Sequence, residues 1–249
     1  MNGAANPDRR QRLDRMHADI ATHGLSVTLV AGGALPRYAY TVGLKDVTGS
    51  ELIMCGAYQY TSAQVHQIIN AVGSALRADP ATTSLVVGAA GVFRLRPVHS
   101  SWSRPLALGA QDFFGTDDVR CSQVVPDLDH MTDDVPDMTV EWAADREPAW
   151  QWIHRPWDLP VARTAVVTTN LPALRGTPVT ELARWEDDEW EMFAGNGPDV
   201  IAEDVRVVPF GTMVGLDPSL TAAAGVRIGE GLWRDGPGSA WHPWRRRES

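Results

Sequence analysis

The residues best equipped for chemistry cluster between Pro36 and Gly56. Tyr38 and Tyr40 alternate with Arg37, Ala39 and Thr41, so on a strand the two phenol rings share one face and Thr41 takes the other. Such a face can line a pocket and offer its hydroxyls to a ligand. It can equally cover a core and hold those hydroxyls at the rim. Glu51 follows a glycine turn and precedes the apolar run Leu52 to Cys55. Partly buried there, its carboxylate would serve as a general base; solvated, it is an ordinary turn residue. His99 stands between an alternating run ending at Val98 and the hydroxyls of Ser100 and Ser101, a strand-end position from which an imidazole can move a proton. No Gly-x-Ser-x-Gly elbow accompanies it. A nucleophilic pair of His99 with Cys55 or Cys121 needs a proximity that spacing does not imply, and two isolated cysteines without a CxxC also read as buried free thiols.

Metal and cofactor chemistry find less to work with. His66 lacks a second ligand three or four residues away on its helix. The run Asp127, Asp129, His130, Asp133, Asp134 holds oxygen ligands for a hard cation, but lacks the glycine and glutamate of a calcium loop. A solvated acidic loop with no metal is the expectation. Gly88 to Gly91 and Gly211 to Gly215 match neither phosphate-loop nor dinucleotide spacing, so no cofactor is expected. A different chemistry resides in Arg184-Trp-Glu-Asp-Asp-Glu-Trp-Glu-Met-Phe193. If exposed, Glu186, Asp187, Asp188 and Glu189 would attract a basic protein partner, with Trp185 and Trp190 as anchors. The same alternation also describes an ordinary amphipathic strand edge.

The elements that must position these groups follow from periodicity. Leu13, Met16 and Ile20 predict a helix over 8–23 closed by Gly24. Strands are predicted over 25–30, 38–44, 52–55, 85–87, 92–98 and 120–125, the first two as a hairpin. Thr61 and Gln64 form a capping box ahead of a helix whose stripe is Val65, Ile68, Ile69, Val72 and Leu76. The stretch 127–147 carries eight acidic residues against one arginine and reads as an exposed loop. Nine of the ten tryptophans lie at or after Trp142, which places a packed module boundary near 150–162. Beyond it strands are predicted at 164–168, 205–210 and 225–233, a strand-like or irregular run at 179–185, and turns at 175–176 and 195–198. A short helix is predicted from Asp217 and a loose tail from Trp241. The fold class is α+β, two packed modules (1–158 and 159–249), each a small, mostly antiparallel sheet with one or two helices.

Composition narrows the function classes. A formal charge of −9 argues against non-specific nucleic-acid binding, which needs cations against phosphate, and favours a basic partner if there is one. No run approaches the roughly 18 apolar residues of a membrane span. The polar opening, Met1 to Asp19, lacks a signal-peptide core, so a cytoplasmic protein is expected.

Tyr38-Ala-Tyr-Thr-Val-Gly-Leu44, Ser50-Glu-Leu-Ile53 with Gly56, and the helix from Thr61 to Leu76 resemble the domain-of-unknown-function family 4262 over about 20–150. Gln123-Val-Val-Pro-Asp127 is similar to that family's later element, with Val125 where an aromatic residue is usual. The resemblance adds Gln123 and Asp127 to Tyr38, Tyr40 and Thr41 as candidate ligand-binding residues. The second module, about 162–235, resembles the immunity-protein-33-like family through Ala165-Val-Val-Thr-Thr169, Gly176-Thr-Pro-Val179, Glu186-Asp-Asp-Glu-Trp190, Phe193-Ala-Gly195 and Leu216-Asp-Pro218. That resemblance implies a small α+β module that binds a protein without doing chemistry. Two readings follow. The first is a partner-binding protein of immunity or accessory type, working through the acidic-aromatic face. The alternative is a small-molecule or peptide-modifying enzyme (hydrolysis, isomerisation or cyclisation), with Glu51 or His99 moving a proton in a pocket of the first module.

Overall fold

The computed structural model describes residues 7–195 and 199–245; most of the turn expected at 195–198 and the last residues of the expected tail lie outside them. Helix α1 (Pro7–His23) buries Met16 and stops at Gly24, whose φ of 80° suits a residue without Cβ. A hairpin follows, β1 (Ser26–Val30) and β2 (Tyr38–Val42), paired antiparallel with Thr28 opposite Tyr40. A four-residue helix, α2 (Lys45–Thr48), replaces the expected turn and leads to β3 (Glu51–Cys55). Helix α3 (Ser62–Ala78) has the predicted capping box and buries all five predicted stripe residues. Then come β4 (Ser84–Val86), β5 (Val92–Pro97), α4 (Ser100–Leu106), α5 (Leu108–Phe114) and β6 (Cys121–Pro126).

These strands form a sheet in the order β1-β2-β3-β6-β5-β4, antiparallel except where β3 meets β6. Every residue of β2 and β3 is buried, because both faces of the sheet are covered. On one face α3 packs over Ala39, Leu52, Met54 and Val124. On the other, α1, α4, α5 and Trp150 cover Tyr38, Tyr40, Ile53 and Cys121.

The second sheet contains β7 (Val166–Asn170), β8 (Glu181–Arg184), β9 (Glu189–Phe193), β10 (Val205–Pro209), β11 (Glu230–Trp233) and β12 (His242–Arg245). Their order is β10-β7-β9-β8-β11-β12, antiparallel except for β7 with β9. The two sheets share one feature: a strand (β3, or β7) is followed by a helix (α3, or α6, Leu171–Leu174) and later by an antiparallel pair (β5 with β6, or β8 with β9) whose last member lies parallel to that first strand. Helix α7 (Phe210–Leu216) and α6 cover one face of the second sheet over Val167, Trp190 and Met192. The expected loose tail is instead the edge strand β12. Trp244 lies across from Gly231 and over the space its missing side chain leaves, while the His242 ring meets Trp233 tilted, at 4.8 Å between centroids.

Residues 127–165 belong to neither sheet. The expectation of a solvated loop at 127–147 is corrected: Thr132, Asp134, Pro136 and Met138 are buried. Indole N–H groups tie this segment down, Trp150 donating to Asp134 O at 2.8 Å, Trp102 to Val140 O at 3.1 Å and Trp152 to Gly211 O at 3.2 Å. Helix α7, unforeseen because its two glycines and β-branched residues are poor helix formers, exists through packing. Gly211 and Gly215 fall four apart on one helical face and let α7 lie against residues 148–153. A methyl at Gly211 would meet Trp152 Nε1 at 2.6 Å, and one at Gly215 would meet Ala149 Cα at 2.8 Å and the Pro148 carbonyl closer still. That obstacle is backbone and cannot rotate away. Gly215→Ala is therefore expected to cost about 1–3 kcal/mol in chemical denaturation; an unchanged midpoint would show that α7 shifts freely.

Candidate functional site

Tyr38 and Tyr40 share a face as their alternation predicts, but the face is inward. Their rings stack at 6.4 Å, and Tyr38 meets Trp150 at the same centroid distance. Tyr40 Oη accepts the Gly109 N–H at 3.0 Å, fixing the start of α5. Burial pushes the Tyr38 phenol up to about 12 and raises that of Tyr40 as well.

Glu51 is fully buried, and its carboxylate is saturated with donors. The Thr41 hydroxyl donates to Oε2 at 2.5 Å, Gly43 N and Lys45 N to Oε1 at 2.9 and 3.0 Å, and Leu44 N to Oε2 at 3.3 Å. Thr41 in turn accepts the Leu52 N–H at 2.8 Å. This is a carboxylate holding the turn between β2 and β3, with no lone pair aimed at a ligand. Glutamine supplies a single acceptor oxygen and would set an amide donor against these N–H groups. Glu51→Gln is therefore expected to lower stability by on the order of 2–4 kcal/mol in urea titration, where a catalytic base on a tolerant scaffold would leave it unchanged.

His99 lies elsewhere, exposed at the N-cap of α4. Its Nδ1 accepts from Ser101 N at 3.3 Å and contacts Ser101 Oγ at 2.9 Å, while that hydroxyl also accepts the Trp142 N–H at 2.8 Å. The imidazole caps a helix and braces the segment after β6. Gln123 is buried and does similar work, donating to Pro136 O at 2.8 Å and receiving the Met138 N–H at 3.4 Å. Asp127 accepts from Val92 N at 2.7 Å and pairs with His130 Nδ1 at 2.6 Å; these contacts hold its carboxyl below the usual range. Cys55 and Cys121 are buried free thiols as expected, Cys121 pushed up to about 12 by burial, which keeps both protonated and inert. Tyr38, Tyr40, Glu51, His99 and Gln123 thus serve separate structural contacts and are not brought together around a cavity. Among the described residues no group of three or more potential ligands could hold a metal ion.

Sequence reasoning did not foresee the buried polar cluster where the modules meet. Arg37 donates to Tyr60 O at 2.7 Å, Ala57 O at 3.3 Å and Ser62 Oγ at 3.2 Å, and its guanidinium lies 4.8 Å from the Tyr58 ring centroid. Tyr58 sits in the second sheet's core, and its carbonyl accepts Arg206 Nε at 2.6 Å. Asp134 is fully buried beside Gly56, with neither carboxylate oxygen hydrogen-bonded. Burial outweighs the nearby Thr132 hydroxyl and the Arg37 charge and raises its pKa to about 6. Because the folded pKa exceeds the unfolded one, the contribution of Asp134 to stability is complete below the ordinary carboxylate range and is lost as pH rises through about 6. Asp134→Asn is expected to be more stable than wild type at pH 8, by on the order of 2–3 kcal/mol. The difference should shrink through pH 6 and vanish near pH 4, as read from denaturation midpoints across pH.

In the second sheet the acidic cluster is displayed. Glu186, Asp187, Asp188 and Glu189 are exposed at the tip of the β8–β9 hairpin. Arg184 ties the tip from beneath, donating to Glu186 O at 3.2 Å, Asp187 O at 2.8 Å and Val226 O at 3.2 Å. Trp185 is half-buried at the same tip, 6.1 Å from Trp244. Trp190 departs from its expected anchor role. It is 1% exposed, lies under Arg184 at 4.7 Å, and donates to Ala223 O at 3.2 Å. Position 190 falls on the strand face that meets α7, and five residues of alternation cannot reveal which face a helix will cover.

Residues 19–131 match the family described as a domain of unknown function (DUF4262), which agrees with the resemblance read from the first module. No curated protein and no solved structure matched the chain. Among the described residues no helix is long and apolar enough to cross a membrane.

Proposed function

We propose that the protein is a partner-binding protein of immunity or accessory type that holds a basic protein surface against the tip of the β8–β9 hairpin. One observation carries this reading: four consecutive carboxylates are exposed at a hairpin tip whose backbone is tied down by Arg184. Gathering four like charges costs self-repulsion, which a cationic partner relieves. Since the turn is held before binding, little ordering entropy opposes association. Trp185, half-buried against Trp244, is the aromatic contact next to the charges. The acid-base reading has less support, because Glu51 is saturated by donors and His99 stands apart from the tyrosines.

The test is replacement of Glu186, Asp187, Asp188 and Glu189 by lysine, with partner affinity measured against ionic strength. The reversed protein is expected to keep its melting temperature and to bind the natural partner at least about tenfold more weakly. For wild type, affinity should fall as salt screens the tip. A partner held equally tightly by the reversed protein would defeat the reading.

A further inference from the structure

A cavity of about 330 Å³ opens where the segment after β6 meets the second sheet. Val179, Met213, Leu216 and Leu220 give it an apolar wall, and Asp133, Asp217 and Arg234 stand around it. Arg234 is buried and engaged on all sides. It donates to Val179 O at 2.7 Å, Ser219 Oγ at 2.8 Å and Asp217 Oδ2 at 2.8 Å, and lies 4.3 Å from the Trp241 ring centroid. Asp217 is satisfied as well, since its other oxygen accepts Ser219 N at 2.9 Å and Ser219 Oγ at 2.6 Å. The pair is a closed, neutral unit.

Asp133 is different. Its backbone N–H is fixed to Leu174 O at 2.8 Å, and its carboxylate lies over Gly176, where a side chain would meet Oδ2 at 2.9 Å. The nearby arginines are committed elsewhere, Arg234 to Asp217 and Arg175 to Gln59 Oε1 at 2.8 Å and Asp129 O at 3.0 Å. The surrounding surface partly desolvates the carboxyl and raises its pKa, with no opposing charge to restore it. The cavity therefore combines one uncompensated negative charge with an aliphatic wall.

We propose that this cavity binds an alkyl cation, a primary ammonium or guanidinium on an aliphatic stem, with the cation on Asp133 and the stem against Val179, Met213, Leu216 and Leu220. An anion would face Asp133 and Asp217 and find Arg234 already neutralised. A wholly apolar ligand would leave Asp133 desolvated without a partner. The volume lies at the lower end of the range for small-molecule sites, enough for a short diamine or the side chain of a lysine or arginine. The site is separate from the acidic tip: Arg234 N bonds Thr180 O, at the end of β8 opposite Arg184.

The experiment is titration of the full chain with 1,5-diaminopentane, butylguanidine, an acetyl-Gly-Lys-Gly-amide peptide and 1-pentanol, followed by calorimetry and amide chemical shifts. Binding of either free cation or of the peptide is expected to perturb residues around Gly176 and Val179, with pentanol much weaker. Asp133→Asn, at an exposed position where the neutral side chain does not lower the melting temperature, should weaken cation binding at least about tenfold, whereas lysines at 186–189 should leave it intact. Binding of the free cations assigns the site to a soluble amine, and binding of the peptide alone assigns it to a partner's side chain; either supports the proposal. No binding of any cation up to about 10 mM, or equal binding by Asp133→Asn, would overturn it.

Discussion

An irregular segment can lie between two sheets only if its backbone polar groups find partners there, because a buried N–H or C=O removed from water without one costs as much as a lost hydrogen bond. The rest of this molecule depends on meeting that constraint along residues 127–153. Gln123 supplies both an acceptor and a donor from the middle of β6. Trp102, Trp142 and Trp150 supply indole donors to its carbonyls while filling the volume around the segment. His99 and Ser101 hold the chain as it passes Trp142. The tryptophan-rich composition of this region is thus the means by which a segment without regular structure becomes part of the interior.

The same constraint explains why so many chemically capable residues of the first module are engaged in structural hydrogen bonds. A strand buried on both faces leaves its polar side chains two outcomes: to be hydrogen-bonded or to destabilise the fold. Glu51, Thr41, Tyr40 and Gln123 take the first course, each meeting backbone groups that would otherwise be orphaned. The carboxylate of Asp134, on the buried irregular segment, meets the same choice and takes the second, lodged beside Gly56 with no hydrogen-bond partner. Exposed carboxylates stand at the β8–β9 tip, and Asp133 stands at the rim of a cavity.

Helix α3 was legible to its cap because capping box and apolar stripe lie within one segment and need nothing from outside it. The hairpin β1–β2, the alternation of Tyr38 and Tyr40, and the two buried thiols were legible for the same reason. Misreadings fell where a distant surface decides. Helix α7 forms on a glycine-bearing stretch because residues 148–153 arrive to pack on its small face, and strand β12 forms because Trp244 covers Gly231. Arg37 and Asp134 belong to no motif, and nothing near them in the chain announces that they will share a buried site.

Taken alone, the sequence determined the α+β class, the capped helix, the strand alternations and the run of four acids at 186–189, all properties of short windows whose period or composition is enough. Tertiary structure alone decided which acids are solvated. Asp134 is sealed while its neighbour Asp133 faces a cavity, and Trp190 is covered while Trp185 is half open. Adjacent or similar residues diverge in this way because desolvation depends on the surfaces that folding brings against a side chain, and those surfaces come from far along the chain.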